Sequence, residues 1–190
     1  YTNILHRVEE FNPEQYSRSR NYIDGTVSYL SPYISRGVIS TKQVFDAVLG
    51  KDLPWHKMEK FVQELAWREY WQNCWVHNPN IDEDVKHDQT SVDNFKIPKS
   101  VRFGQTGISA IDHSILSLKK EGYMHNHTRM YVASLCCNFG HSHWLKPAKW
   151  MYYHLYDGDW ASNALSWQWI AGTNSSKKYL NNQDNVNEYC

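Results

Sequence analysis

The feature that most constrains the fold is a run of twenty residues, 58–77, that contains neither glycine nor proline. Apolar side chains recur in this run at three- and four-residue spacing, at Phe61, Val62, Leu65, Ala66 and Tyr70. This is the period of an amphipathic helix, in which one stripe packs against a core. The run therefore predicts a helix of about five turns, long enough to organise the packing of a small domain.

Capping signals predict further helices along the chain. Asn12 before Pro13 is typical of a helix start, and Ser40 followed by Gln43 has the spacing of a capping box. Another apolar stripe ends at Gly122, and glycine suits the end of a helix. Other helices are expected over 126–138, 147–156 and 160–171.

Strand signals are almost absent, because no alternating run is bounded by turn residues. The polar segment 78–100 is the one long connection, so we expect a single all-α domain over residues 1–190. No apolar run of about 18 residues predicts a membrane span, and the first residues do not resemble a signal peptide. The four cysteines contain no CxxC pair, which favours a reduced, cytoplasmic setting over a disulfide framework.

Charge is distributed unevenly although the net charge is zero. Between Lys119 and Lys149 there are five basic residues and one acid, whereas the segment 81–93 carries five acids. This distribution permits a basic face that could bind nucleic acid, but it does not establish one.

One strip on the 58–77 helix carries chemistry rather than core packing. Its members lie at positions i, i+3, i+4 and i+7 and form one contiguous face: Glu64, Trp67, Arg68 and Trp71. The strip is either a solvated edge with amphipathic side chains or a cavity wall. In the second case the indoles supply stacking planes and the carboxylate accepts hydrogen bonds from a planar ligand.

The segment GYMHNHTRM, 122–130, places Asn126 and Met130 one turn apart on a new helix. Arg129 lies on another face, where it could pair with an acid of the DGD sequence at 157–159. Histidines in the HNH and HSH sequences, two residues apart, do not share a helix face, so we predict no metal site. The segment DGTVSYLS, 24–31, could offer backbone N–H groups and hydroxyls to a phosphate, although ordinary capping explains it equally well.

Four segments in this order resemble the flavin-binding domain of the photolyase/cryptochrome family. They are YLSPYISRGVIS (29–40), ELAWREYW (64–71), GYMHNHTRM (122–130) and DGDWASNALSWQWIAGT (157–173). The resemblance extends from about Tyr16 to Tyr179. It implies a helical domain that holds FAD in a bent conformation at the bottom of a cavity.

The resemblance also implies which residues bind the cofactor: Tyr16, Ser28, Leu30, Ser31, Arg129, Asp157, Asp159 and Asn163. Among these, Arg129 and Asp157 form an ion pair beside the flavin, and Asn163 faces flavin N5. Val27 stands where the family usually has threonine, which weakens the phosphate contact without removing the site. Asn163-Ala164-Leu165-Ser166 replaces the usual Asn-Asn-Gly-Gly, which changes the packing beside the flavin.

The residues that match the lesion pocket of cyclobutane pyrimidine dimer photolyases are Glu64, Trp67, Asn126, Met130 and Trp169. Arg20 and Arg68 are expected to contact DNA. The resemblance therefore implies a damaged-DNA partner whose dimer is flipped into the cavity. It implies light-driven dimer repair by electron transfer from reduced FAD. The alternatives are a flavin photoreceptor of the cryptochrome kind and a flavin-binding module without repair activity.

Trp167 and Trp144 match the first two members of the family's electron-transfer chain. The third member is expected in the segment 78–100, which contains no tryptophan. Either another aromatic residue such as Trp150 or Tyr153 ends the chain, or photoreduction is impaired. The family's amino-terminal antenna domain is not in this sequence, and no iron–sulfur cluster is predicted because no CxxC pair accompanies the family-like tail.

Overall fold

The computed structural model describes residues 1–175 and 177–190. Their regular structure consists of eleven α-helices and one turn of π-helix. The α-helices are α1 Thr2–Glu10, α2 Pro13–Ser19, α3 Ser31–Ser35, α4 Thr41–Leu49, α5 Trp55–His77, α6 Lys99–Phe103, α7 Ser109–Glu121, α8 Asn126–Ser134, α9 Leu145–His154, α10 Trp160–Ala171 and α11 Gln183–Tyr189. The π turn, Leu135–Phe139, follows α8 directly. Within the described ranges there is no β-sheet, only an isolated bridge between Asn94 and Ser142, so the all-α prediction is confirmed.

The helix caps predicted from the sequence are present in the structure. The Asn12 side chain accepts hydrogen bonds from the first turn of α2, and Ser40 and Gln43 form both halves of a capping box at α4. Helix α7 ends at Gly122, which has the left-handed φ of 71°. Local chemistry thus determines where these helices start and stop.

Two helix starts differ from the sequence prediction. Helix α5 begins at Trp55 rather than residue 58, because Pro54 is its N-cap, in an extended conformation with ψ 144°. Helix α9 begins at Leu145, two residues before Pro147. Proline is tolerated in a first turn, where the backbone N–H has no partner in the helix, so neither proline marks the first helical residue.

The buried side chains form two hydrophobic clusters. One, called here the large core, is built mainly from α7, α8, the π turn, α9 and α10. The other, called here the small core, is built from α1, α4, the amino-terminal half of α5 and Leu30. Helix α5 contributes to both, because Phe61 and Leu65 belong to the small core while Trp71 packs against the large core. The site described next lies between the two clusters.

The segment between α5 and α6 crosses the large core without forming a helix of its own. Gln168 on α10 donates hydrogen bonds to the carbonyls of Ile81 and Glu83, at 2.8 and 3.1 Å, and accepts one from the Val85 amide at 2.9 Å. A buried side chain thus replaces the partners that a helix or sheet would give this backbone. Among the described residues, no helix combines the length and the apolar character needed to span a bilayer.

Candidate flavin site

A cavity of about 610 Å³ opens between the small and large cores. Phe61 and Leu65 of the small core line one side, and Met151, Trp167 and Ile170 of the large core line the other. Such a volume is typical of cofactor and ligand pockets. The four strip residues of α5 all line it, so the cavity-wall interpretation of that strip agrees with the structure: Glu64, Trp67, Arg68 and Trp71.

A buried ion pair lies at the cavity wall. Nη2 of Arg129 lies 3.0 Å from Oδ1 and 2.9 Å from Oδ2 of Asp157. Asp157 itself is only 7% exposed. The Ser31 hydroxyl donates to the same carboxylate at 2.8 Å, and the Ser35 hydroxyl donates to the Asp157 carbonyl, also at 2.8 Å. Burial raises the pKa of Asp157, but Arg129 and the Ser31 hydroxyl outweigh it and hold that pKa below its usual value. Asp157 is therefore a carboxylate at neutral pH.

A second acid, Asp159, caps α10 and holds part of the cavity wall. Its side chain accepts a hydrogen bond from the Ser162 amide at 2.7 Å. It also accepts one from the Gln72 side chain and lies 3.4 Å from Nη1 of Arg68. Arg68 in turn donates to the Ser35 hydroxyl at 3.1 Å, so the network ties α5 to α10 and to α3.

Two cavity-lining side chains on α10 keep free polar atoms. Asn163 uses its Nδ2 group to donate to the Ala148 carbonyl at 3.0 Å, which leaves its Oδ1 atom as an acceptor. Ser162 Oγ is buried without a hydrogen-bond partner among the described residues. Because buried polar atoms are ordinarily paired, Ser162 Oγ suits a polar ligand in the cavity, and Asn163 Oδ1 can accept a hydrogen bond from one. Together with the fixed charges of Arg129 and Asp157, they fit a large, polar, partly aromatic group.

The cavity mouth carries the aromatic and acidic residues that the resemblance places around a lesion. Trp67 is 50% exposed and Trp169 is 42% exposed, although both line the cavity. Partial desolvation raises the pKa of Glu64, against the opposing effect of the nearby charges on Arg20 and Lys60, although the residue is exposed at the cavity mouth. Asn126 and Met130, which the resemblance also places at the lesion, line the cavity, as does Arg20.

Not every residue implied by the resemblance reaches the cavity. Leu30 does not, because its side chain is buried in the small core. Its neighbour Tyr29 lines the cavity instead, with an unusual positive φ of 52°. Arg68 does not lie on the outer surface as a DNA contact would, because its 17%-exposed side chain is directed to Asp159 and Ser35. It belongs to the cavity wall.

Of the two tryptophans that the resemblance assigns to electron transfer, Trp167 lines the cavity and Trp144 lies deeper, fully buried in the large core. The other cofactor-binding residues named from the sequence, Tyr16, Ser28 and Ser31, line the cavity. Tyr123 and His125 were not singled out from the sequence, yet both line it, and the Tyr123 ring lies 5.2 Å from that of Tyr29. Aromatic side chains that serve a cavity look the same in sequence as those that fill a core.

No group of three or more histidine, cysteine, aspartate or glutamate side chains is placed to hold a metal ion within the part of the chain that the structure covers.

Comparison with known proteins agrees with this geometry. Residues 61–187 match the family model described as the FAD binding domain of DNA photolyase. The chain is 31% identical over 182 residues to a deoxyribodipyrimidine photo-lyase of Agrobacterium fabrum, an alignment that covers 90% of this chain and 38% of the relative.

Two solved structures share the fold. A bacterial class III photolyase from Agrobacterium tumefaciens matches with a TM-score of 0.83 and 28% identity, over 99% of this chain and 44% of that one. A Synechocystis cryptochrome matches with a TM-score of 0.87 and 22% identity, over 99% of this chain and 42% of that one. The chain thus spans less than half the length of these proteins. It belongs to the photolyase/cryptochrome family as an FAD-binding domain of the DNA photolyase type, and its cofactor is FAD.

Proposed function

We propose that this domain repairs cyclobutane pyrimidine dimers in DNA, using light and reduced FAD. The observation that carries the proposal is the composition of the cavity mouth. Two half-exposed indoles, Trp67 and Trp169, line the same cavity as the carboxyl group of Glu64, and Arg129 and Asp157 line its wall. A mouth that only admitted the cofactor would not need exposed stacking planes beside an acid.

The cofactor residues are assigned as follows. Arg129 and Asp157 form a fixed pair of charges beside the flavin, and Asn163 offers its free Oδ1 to the flavin edge. Ser28 presents its hydroxyl toward the phosphates, with Tyr16 on the same wall, and Ser31 holds the Asp157 carboxylate in place through its hydroxyl. Asp159 shapes the wall by capping α10 and by binding Arg68. When bound, the reduced flavin supplies the light-excited electron that opens the dimer and takes it back afterwards.

The lesion residues have separate tasks. Trp67 and Trp169 stack against the two flipped bases, and stacking on an aromatic ring contributes about 1–3 kcal/mol per base. Glu64 hydrogen-bonds to polar atoms on the base edges. Asn126 and Met130 complete the pocket, and Arg20 contacts the DNA backbone near the mouth.

The test is a repair assay on single-stranded DNA that carries one dimer, with flavin retention measured in parallel. We expect Trp67→Ala and Glu64→Gln to lower repair while the protein keeps its FAD. Matched controls lie on the same helix: Trp55 is equally exposed but outside the cavity, and Glu59 lies more than one turn from Glu64. Trp55→Ala and Glu59→Gln should repair normally.

Two outcomes would contradict the proposal. If the Trp67 and Glu64 variants repaired dimers as fast as the unaltered protein, the cavity mouth would not be the lesion site. Retained FAD and normal photoreduction without dimer repair in the unaltered protein would favour the photoreceptor or the flavin-module alternative.

A further inference from the structure

The buried indole of Trp144 is bound to a carboxylate. Its Nε1–H donates to Oδ1 of Asp84 at 2.6 Å, and the Trp144 side chain is fully buried in the large core. A hydrogen bond from a neutral donor to a charged acceptor is short and strong. Charged acceptors are uncommon partners for a core tryptophan, because a backbone carbonyl satisfies the same N–H without burying a charge.

The position of Asp84 is determined by several contacts. Its Oδ2 accepts a hydrogen bond from the backbone N–H of Gln89 at 2.7 Å, and the side-chain Oε1 of Gln89 accepts one from the backbone N–H of Trp144 at 2.9 Å. His143 Nε2 lies 3.7 Å from Oδ1 of Asp84. The carboxylate therefore stays beside the indole and cannot turn away to solvent, which is the preorganisation that a proton acceptor requires.

The aromatic rings that lead from Trp144 toward the surface belong to side chains that are hard to oxidise. The His143 ring lies 5.8 Å from that of Trp144, and the exposed Phe95 ring stacks on His143 at 5.2 Å. The connecting segment 78–98 contains no tryptophan, tyrosine, methionine or cysteine. A phenyl or imidazole ring is a much poorer electron donor than an indole, so an electron vacancy on Trp144 has no good exit through this side.

We propose that Asp84 accepts the indole proton of Trp144 when Trp144 is oxidised, so that the electron path ends inside the protein. The inference rests on the proposed flavin function and on the electron-transfer roles that the resemblance implies for Trp167 and Trp144. Bound FAD, when excited by light, would take one electron from Trp167, and Trp144 would then supply one electron to Trp167.

The Nε1–H bond of the oxidised indole breaks, and its proton forms an O–H bond on Asp84. The products are a neutral tryptophan radical and a neutral carboxylic acid. The electron would return to Trp144 through Trp167, and the proton would then move back from Asp84 to Nε1, which restores the starting state. Because the oxidised indole is a far stronger acid than the neutral one, the transfer follows oxidation and traps the vacancy at Trp144.

The test is time-resolved absorption of the FAD-loaded chain after a light flash, without DNA, which distinguishes the protonated tryptophan radical from the neutral one. In the unaltered protein we expect a neutral radical that disappears in Trp144→Phe. Asp84→Asn keeps a side chain of the same shape that can still accept the indole hydrogen bond, but it is a poor base. We expect proton loss in this variant to be slower by roughly 100-fold, as for loss of a positioned general base.

Two variants separate this role from a structural one. Asp84→Glu restores a carboxylate and should restore fast proton loss. Asp82→Asn removes the same charge from the same segment, where Asp82 accepts the indole N–H of Trp160 at 2.9 Å, and should behave like the unaltered protein. In the flavin-free chain, the NMR shift of the Trp144 indole proton reports the hydrogen bond independently.

Three results would overturn the inference: a flash-induced neutral tryptophan radical that persists in Trp144→Phe, proton loss in Asp84→Asn at the original rate, or equal slowing in Asp82→Asn. Because the flash experiment contains no DNA, its outcome does not depend on whether the protein repairs dimers. Failure of proton transfer to Asp84 likewise leaves the repair proposal intact.

Discussion

Arg129 contacts both carboxylate oxygens of Asp157 through a single nitrogen, Nη2, at 2.9 and 3.0 Å, while Asp157 is almost fully buried. The same guanidinium donates through Nε to the Met124 carbonyl at 2.8 Å. The pair therefore joins the start of α8 to the loop before α10, and it supports both the fold and the flavin site.

Replacing Arg129 by alanine should destabilise the protein and release FAD. The change leaves a buried carboxylate without its partner, which typically costs about 3–5 kcal/mol in the free energy of unfolding. Urea unfolding of the flavin-free protein measures this loss, and the retained flavin absorbance measures binding. Arg18→Ala is the control, because Arg18 is largely exposed where it pairs with Glu14 on α2, and exposed pairs contribute at most about 1 kcal/mol. Similar losses in both variants would contradict the role of burial.

Stability toward acid should depend on Asp157. Its pKa is lowered in the folded protein, so the folded state binds this proton more weakly than the unfolded chain does. The stabilisation is then complete above the unfolded pKa, about 3.9, and is lost as the pH falls through that value toward the folded pKa. We expect Asp157→Asn to be less stable at neutral pH and to lose less further stability between about pH 5 and pH 3. The test is the urea midpoint of unfolding measured across this pH range for both proteins. Midpoints that fall in parallel with pH would contradict the prediction.

The sequence predicts the long elements of this fold well, because each has several independent signals. Helix α10 occupies the predicted range 160–171, and α7 ends at the predicted Gly122. The short helices α3 and α6, five residues each, were not predicted. Five residues are too few to display a helical period, and tertiary contacts stabilise such turns rather than local preference.

The residues of the site, like the helices, are predicted only in part from the sequence. The charges predict that Arg129 pairs with an acid of the DGD sequence, the resemblance implies that this acid is Asp157, and the structure contains that pair. Leu30 is assigned to the cavity by the resemblance, whereas the structure directs it into the small core and turns Tyr29 to the cavity. The left-handed backbone of Tyr29 alters which side chains point inward, and a tyrosine carries no sequence signal for that conformation.

The apolar side chain of Val27 should limit flavin affinity. Val27 lines the cavity beside Ser28, and threonine has nearly the same shape with one added hydroxyl. If that hydroxyl meets a flavin phosphate, one net hydrogen bond contributes about 0.5–1.5 kcal/mol. We therefore expect Val27→Thr to bind FAD roughly two- to tenfold more tightly, measured by quenching of flavin fluorescence. Val76→Thr, exposed on α5 outside the cavity, is the control, and equal or weaker binding by Val27→Thr would contradict the prediction.

Gly122 should be sensitive to any added side chain, because two constraints act there together. Its φ is 71°, and a Cβ atom would lie 2.7 Å from the ring of Tyr156. Gly37 is a matched control, with a φ of 68° and open space around the added atom. Gly37→Ala should lose only the left-handed preference, about 1 kcal/mol, whereas Gly122→Ala should lose about 1–3 kcal/mol more through steric overlap.

The overlap at Gly122 should also reach the flavin site. The Tyr156 amide donates to the Gly122 carbonyl at 2.9 Å, and Tyr156 directly precedes Asp157. Displacement of Tyr156 therefore moves the carboxylate that pairs with Arg129, so Gly122→Ala should retain less FAD than Gly37→Ala. Urea unfolding and flavin retention, measured on both variants, check the two parts separately. Equal stability would show that the ring of Tyr156 moves aside freely, and equal flavin retention would show that its movement does not reach Asp157.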